Sequence, residues 1–133
     1  MAADDLSALS LTGLLDELAS ESPAPASGSA AAVAVAMAAA LVEMGARRSP
    51  GWEDAMGVAA QARSIRQRTV PLVQADADAY AASLAALAAA EETAAEGRDE
   101  AIANALAGAA DVALEIARAG TDAAYLAELV ADR

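Results

Sequence analysis

The segment "QADADAY", residues 74 to 80, carries two aspartates two positions apart. On a helix, which turns about 100° per residue, that spacing sends them to different sides. Val73, Ala77, Tyr80, Leu84 and Leu87 then form one apolar stripe, with Asp76 at its edge, one turn before Tyr80. Asp78 points away with Gln74 and Ala82, as an ordinary solvated charge. Asp76 borders the buried face and calls for a partner. A carboxyl group beside an apolar wall is driven toward the range in which a general acid–base operates. The chain contains no histidine and no cysteine, so carboxylates are its strong candidates for proton transfer. Thiol chemistry is excluded, and zinc or redox-metal sites lack their usual nitrogen and sulfur donors.

The cations fall into two groups. Arg98 projects onto the same side as the stripe Ile102, Leu106, Ala109, Ala113 and Ile116. A cation at a helix N-terminus opposes the dipole by about 0.3–1 kcal/mol, so something should compensate. Two readings stay open. Asp76 and Arg98 are structural and pair with each other, or they line a cleft in which Arg98 faces an anionic ligand group and Asp76 moves protons. Arg63, Arg66 and Arg68 form a separate local cluster of the kind an acidic protein needs to bind an anion. A third element is "SPAPASGS", residues 22 to 29. It reads either as a flexible connector with Ser29 as a plain N-cap, or as a ligand-side loop. In the second case Gly28 allows close backbone approach and the free N–H groups beyond it favour an anion.

These residues need helices to position them. Leu11, Leu14, Leu15 and Leu18 repeat at helical spacing behind Ser10 or Thr12 as a cap. Pro23 and Pro25 stop that helix. The next is expected from about Ser29 to Ala46, apolar all round, hence a central helix covered on every side. A turn at Ser49, Pro50 and Gly51 leads into a helical stretch from about Trp52 to Glu92, interrupted at Pro71, where Thr69 is a candidate cap. Glu96 and Gly97 separate it from a last helix starting near Arg98, in which Gly120 is a possible break. The expectation is an all-α, up-and-down bundle of about five helices in one domain spanning 1–133, with an alanine-rich central helix.

Composition agrees. Of the 133 residues 57% are hydrophobic but only 2% aromatic, and a third are alanine, the best helix former. Small side chains bury little area each, so self-association is expected. The net charge of −12 argues against nucleic acid and against an anionic membrane surface. The run from Gly28 to Val42 is shorter than the roughly 20 residues that span a bilayer. The acidic Asp4 and Asp5 are unlike the start of a signal peptide. A cytoplasmic protein is expected.

Taken together, the segments resemble a known family. "LTGLLDELASESPAPASGSAAAVAVAMAAALVEM" is similar to the start of the cyclodeaminase domain of formiminotransferase-cyclodeaminase, whose free-standing relatives include methenyltetrahydrofolate cyclohydrolases. "DADAY" is similar to the family's Asp-x-x-Ala-Tyr/Phe segment, and "RDEAIANALAGAADVAL" to its Arg-x-x-Ala-Ile helix. The resemblance implies an all-helical, dimeric domain that binds tetrahydrofolate as a substrate carrier, with no further cofactor and no metal. The implied reaction closes 5-formiminotetrahydrofolate to the 5,10-methenyl form with loss of ammonia, or hydrolyses the methenyl bridge. It also implies that Gly28 and Ser29 belong to the folate-binding loop and that Asp76 is the general acid–base, with Tyr80 beside it. Matching charge alone, Arg98 or the Arg63/Arg66 pair would meet the glutamate tail. Three departures stand out: Ala26 and Ser27 replace two loop glycines, Ala113 replaces a proline, and the chain stops at Arg133, where the family continues. A missing C-terminal piece, or a non-catalytic binding or assembly module that kept the fold, is the alternative expectation.

Overall fold

The computed structural model describes residues 5–92 and 97–133, with Glu91 and Glu92 described for their backbone alone. Asp4 and Glu96, which entered the sequence reading, lie outside these residues. Five α-helices follow a short 3-10 turn at Leu6–Ala8: α1 (Leu11–Leu18), α2 (Ser27–Arg47), α3 (Ala55–Thr69), α4 (Leu72–Glu92) and α5 (Arg98–Ala131). The all-α bundle is as expected, and no strand occurs among the described residues.

Each boundary has a local cause. Ser10 caps α1, its hydroxyl accepting from the Gly13 N–H at 3.1 Å. Thr69 does not cap α4; its hydroxyl donates back to the Ile65 carbonyl at 2.7 Å within α3. Pro71 brings no N–H, so the helical path lapses for only two residues before Leu72. Gly97 adopts a left-handed φ of 86° just ahead of α5, a conformation open to glycine at little cost. Gly120 does not break α5. Its missing side chain instead lets Val35 of α2 approach, to 3.4 Å from where a Cβ would sit. Gly45 serves the same α2–α5 contact, since a Cβ there would fall 2.6 Å from Val130 Cγ1.

The core has two parts. Ala39, Val42 and Ala46 of α2 pack with Val58, Ala59, Ala62 and Ile65 of α3 and with Ala119, Ala123 and Leu126 of α5. Nearer the N-terminus of α2, Leu6, Leu14, Ala32, Leu72, Val73, Ala77 and Ile116 form the second part. Val35 leans on both.

Helix α2 is not covered on every side. It packs on α3, α4 and α5, and this leaves one long face open, where Met37 is 58%, Leu41 61% and Met44 41% exposed. It is also longer than the apolar run suggested. At 21 residues and a mean hydropathy of 1.8 it is, among the described residues, the one helix long and apolar enough to cross a membrane. Its opposite face is that of a core helix, with Ala32, Ala39 and Ala46 fully buried. The apolar stripes on the hairpin of α4 and α5 are likewise less covered than their spacing suggests. Tyr80, Leu87 and Leu106 are exposed, because beyond Ala77 the two helices lean mainly on each other.

Candidate active site

Asp76 finds its partner at the start of α2. Ser29 is fully buried, and its hydroxyl lies 2.9 Å from the Val73 carbonyl and 3.2 Å from Asp76 Oδ2. The single hydroxyl proton is shared between these two acceptors, which fixes the carboxylate against the helix terminus. Gly28 supplies the space. A Cβ on it would lie 2.6 Å from Asp76 Oδ2 and closer still to Oδ1 and Cγ, so the carboxylate occupies the room the missing side chain leaves. Gly28, Ser29 and Asp76 are thus one unit, built by close packing of α2 on α4. Ser29 is not the N-cap of α2; Ala26 holds that place and no side chain caps the helix.

The loop before α2 tolerates its departures from the glycine-rich pattern. Ala26 has an extended backbone with φ −129°, Ser27 is already helical, and no non-glycine residue has a positive φ among the described residues. A side chain at either position introduces no backbone strain there. Residues Ser22 to Pro25 of this loop line a separate 410 Å³ cavity with Leu6, Gln74 and Asp78. Asp78 is exposed and accepts from Gln74 Nε2 at 2.8 Å. The sequence therefore placed the two aspartates on the correct sides of α4, and Asp76 is the half-buried one.

Further along α2 lies an apolar cavity. Ser29, Val33, Ala36, Ala40, Glu43 and Arg47 recur every three or four residues and so form one straight line on the helix. Val33, Ala36 and Ala40, with Met37, Val70 and Val73, line an apolar cavity of 280 Å³ roofed by Leu6, Leu9 and Leu14, with Arg66 at its edge. The line passes through Glu43, which the sequence reading overlooked. Glu43 is only 8% exposed, and it accepts from Arg47 Nη2 at 2.7 Å, Arg63 Nε at 3.0 Å and Arg66 Nη2 at 3.1 Å. The hydrogen bonds from Arg66 and then Arg63 hold its carboxyl below its ordinary value. Three guanidinium groups on one carboxylate leave two net positive charges, each arginine 40–48% exposed. The signal was present in sequence as Glu43 and Arg47 one turn apart, but nothing there showed that α3 would bring Arg63 and Arg66 to them.

The remaining candidates lie elsewhere. Tyr80 sits one turn beyond Asp76 and is 41% exposed. Arg98 is at the far end of the α4–α5 hairpin, its Nη1 3.3 Å from the Ala90 carbonyl and its Nε 3.3 Å from Asp99. Fourteen residues of helix separate Asp76 from Ala90, about 21 Å of rise. Asp76 and Arg98 therefore neither pair nor share a cleft. Arg98 is compensated by Ala90 and Asp99 instead. Arg68 leaves the Arg63/Arg66 cluster and pairs with Asp122 of α5.

Comparison with known proteins supplies the frame for this geometry. No individual curated protein matches the chain. The family model described as formiminotransferase-cyclodeaminase matches residues 10–133, which takes in the Gly28–Ser29–Asp76 unit, the α2 side of the apolar cavity and the arginine cluster alike. The chain belongs to the formiminotransferase-cyclodeaminase family, a folate-related family.

Proposed function

We propose that the chain binds a tetrahydrofolate and acts on its one-carbon unit, either closing a 5-formimino group to the 5,10-methenyl bridge or hydrolysing that bridge. The observation that carries this reading is the carboxylate of Asp76 seated over Gly28 and held by Ser29, about one helical turn from Val33 and Val73, which line an apolar cavity with Arg66 at its edge. A tetrahydrofolate has the same order of parts: a polar ring system bearing the one-carbon unit, an aromatic spacer, and a carboxylate tail. In this arrangement Val33, Ala36 and Val73 flank the spacer and Arg66 and Arg63 meet the tail. Arg98 lies too far from Asp76 for that role.

The chemistry asks little beyond a positioned carboxylate. In ring closure N10 attacks the formimino carbon, giving a tetrahedral bridging carbon. The formimino group reacts as its protonated amidinium, so the one proton that the carboxylate carries from N10 to the departing nitrogen completes ammonia, which leaves the cationic methenyl bridge behind. In hydrolysis the carboxylate takes a proton from the water that attacks the methenyl carbon. It then returns that proton to N5 as the carbon–N5 bond breaks, and the remaining hydroxyl proton is released to solvent as the formyl C=O forms, leaving the 10-formyl product. Either course requires Asp76 to exchange a proton with a group within hydrogen-bond reach. Ser29 keeps it oriented.

The test is a thermal melt with and without 5-formyltetrahydrofolate, a stable analogue, followed by turnover of the formimino and methenyl substrates. Ligand at about 100 times its Kd adds about 2.7 kcal/mol, a rise of many degrees for a domain of this size. Asp76→Asn should keep the shift and lose turnover by about 100-fold or more, the scale of general acid–base catalysis, while Asp78→Asn stays near wild type. A cooperative melt that ligand does not move would favour a non-catalytic helical module.

A further inference from the structure

Glu43 is the one acidic side chain that is buried among the described residues, and the chemistry proposed above makes no use of it. It sits where two helices meet. Oε1 accepts from Arg47 Nη2 and from Arg63 Nε, and Oε2 accepts from Arg66 Nη2. Without that carboxylate three like charges would converge on one point, so Glu43 is what lets the guanidinium groups gather. Among the described residues each of the three gives Glu43 one nitrogen and forms no other hydrogen bond. A guanidinium carries five N–H donors in a planar fork, and these side chains are 40–48% exposed. Each therefore keeps donors for a group outside the chain.

We infer that this cluster is a dicarboxylate site, and that Glu43 is the positioning residue that sets its selectivity. The point on which the three guanidinium groups converge is already filled by a carboxylate. A compact anion such as inorganic phosphate needs that point, and beside Glu43 it meets like charge at close range. What a site repels contributes to selectivity as much as what it attracts. The outward edges of the arginines are spread apart instead. Arg63 and Arg66 lie three residues apart on α3, where side chains stand about 5–6 Å from each other, and Arg47 approaches from α2. Each edge can take one carboxylate through two parallel N–H bonds. Two carboxylates on one short carbon chain match both the spacing and the two net positive charges, whereas a single carboxylate uses only half of either.

The net charge of −12 does not forbid such a ligand. At 0.1 M salt, exposed charges more than about 10 Å away are largely screened, and the local excess of arginine decides. The tail of a tetrahydrofolate ends in a group of this kind, a glutamate whose two carboxylates are three carbons apart. That the natural ligand is this tail rests on the folate reading above; the selectivity of the cluster does not.

Glutarate, the dicarboxylate of that tail by itself, is the probe, with acetate and inorganic phosphate beside it. Nitrogen-15 NMR of the arginine Nε–H groups reads binding at each side chain, every signal being assigned by its loss in the matching Arg→Lys variant. An exposed ion pair is worth up to about fivefold in affinity. Glutarate should therefore move the Arg63 and Arg66 signals at about a fifth of the acetate concentration, and phosphate should do no better than acetate. Arg47→Ala, at a side chain 45% exposed, removes one of the two net charges and should shrink the advantage of glutarate. Glu43→Ala should invert the order. Phosphate then enters the vacated point, binds about fivefold tighter than glutarate, and raises the melting temperature that the substitution lowers. A purely structural Glu43 would lower the melt and leave the order of the anions unchanged, and that result would overturn the inference. So would phosphate matching glutarate on the wild type, or arginine signals that none of the three anions moves. If Glu43→Ala does not fold, the wild type and Arg47→Ala still decide, since an Arg47→Ala that keeps the full advantage of glutarate also overturns it. If glutarate is selected but 5-formyltetrahydrofolate moves neither the arginine signals nor the melt, the folate reading fails alone. If that ligand shifts the melt while the Arg63 and Arg66 signals stay in place, the dicarboxylate site fails alone.

Discussion

Gly28 and Asp76 illustrate a functional position defined by what is absent. A glycine in the first turn of a helix costs about 1 kcal/mol relative to alanine, and here that cost leaves a carboxyl-sized space against the backbone. Gly28→Ala recovers the helix propensity but drives a methyl group into the Asp76 carboxylate, and overpacking of that kind costs about 1–3 kcal/mol. The second effect is the larger. The variant should melt at or below the wild-type temperature and lose turnover by at least about 10-fold. Ser27→Ala, one residue earlier on an exposed position, should leave both unchanged. A fully active Gly28→Ala would show that the carboxylate need not sit where it does. The sequence revealed Asp76 because helical periodicity set it apart from Asp78. It revealed the neighbourhood of Gly28 only through a family resemblance, since no periodicity tells which backbone atom a distant carboxylate will lie against.

Among the elements, α2 and α3 are joined by Glu43. Its carboxyl is held below the ordinary value of 4.5, chiefly by hydrogen bonds from Arg66 and Arg63 of α3. The folded protein therefore binds the Glu43 proton less tightly than the unfolded chain, and unfolding takes up a proton as the medium becomes acidic. The stabilisation is complete above about pH 4.5 and is lost as pH falls through the depressed folded value. Glu43→Gln should lower the melting temperature at neutral pH, by leaving Arg47, Arg63 and Arg66 without their shared counter-charge. It should also flatten the decline of stability below pH 4.5, which melts at stepped pH would detect. A wild-type decline unaltered by the substitution would assign it to other carboxyl groups. The helices themselves were legible in the leucine spacing, the prolines and the glycine turns, with ends shifted by one to three residues. What the sequence could not convey was which face each helix buries, because alanine occurs on both and, among the described residues, more often on exposed faces than on buried ones. The same ambiguity made α2 read as covered all round and brought Tyr80 and Leu87 into a buried stripe.

At the scale of the molecule, stability is unevenly spread. Both parts of the core draw on α2 and on α5 from Ile116 onward, whereas between Asp78 and Ala110 only Ser83 is buried among the described residues. That half of the α4–α5 hairpin should open on its own. Amides of residues 99–110 should exchange with solvent well before those of 39–46 and 116–126, and uniform protection along α5 would contradict this. The same helix has a hydrodynamic consequence. A compact chain of this length has a radius of gyration of about 14 Å, yet the 34 residues of α5 extend about 50 Å without interruption. Friction grows with elongation, so a single copy will leave a sizing column early, at the volume of a heavier sphere. Elution position would then mimic association in a protein that has none, and only a shape-independent measure of mass separates one chain from two.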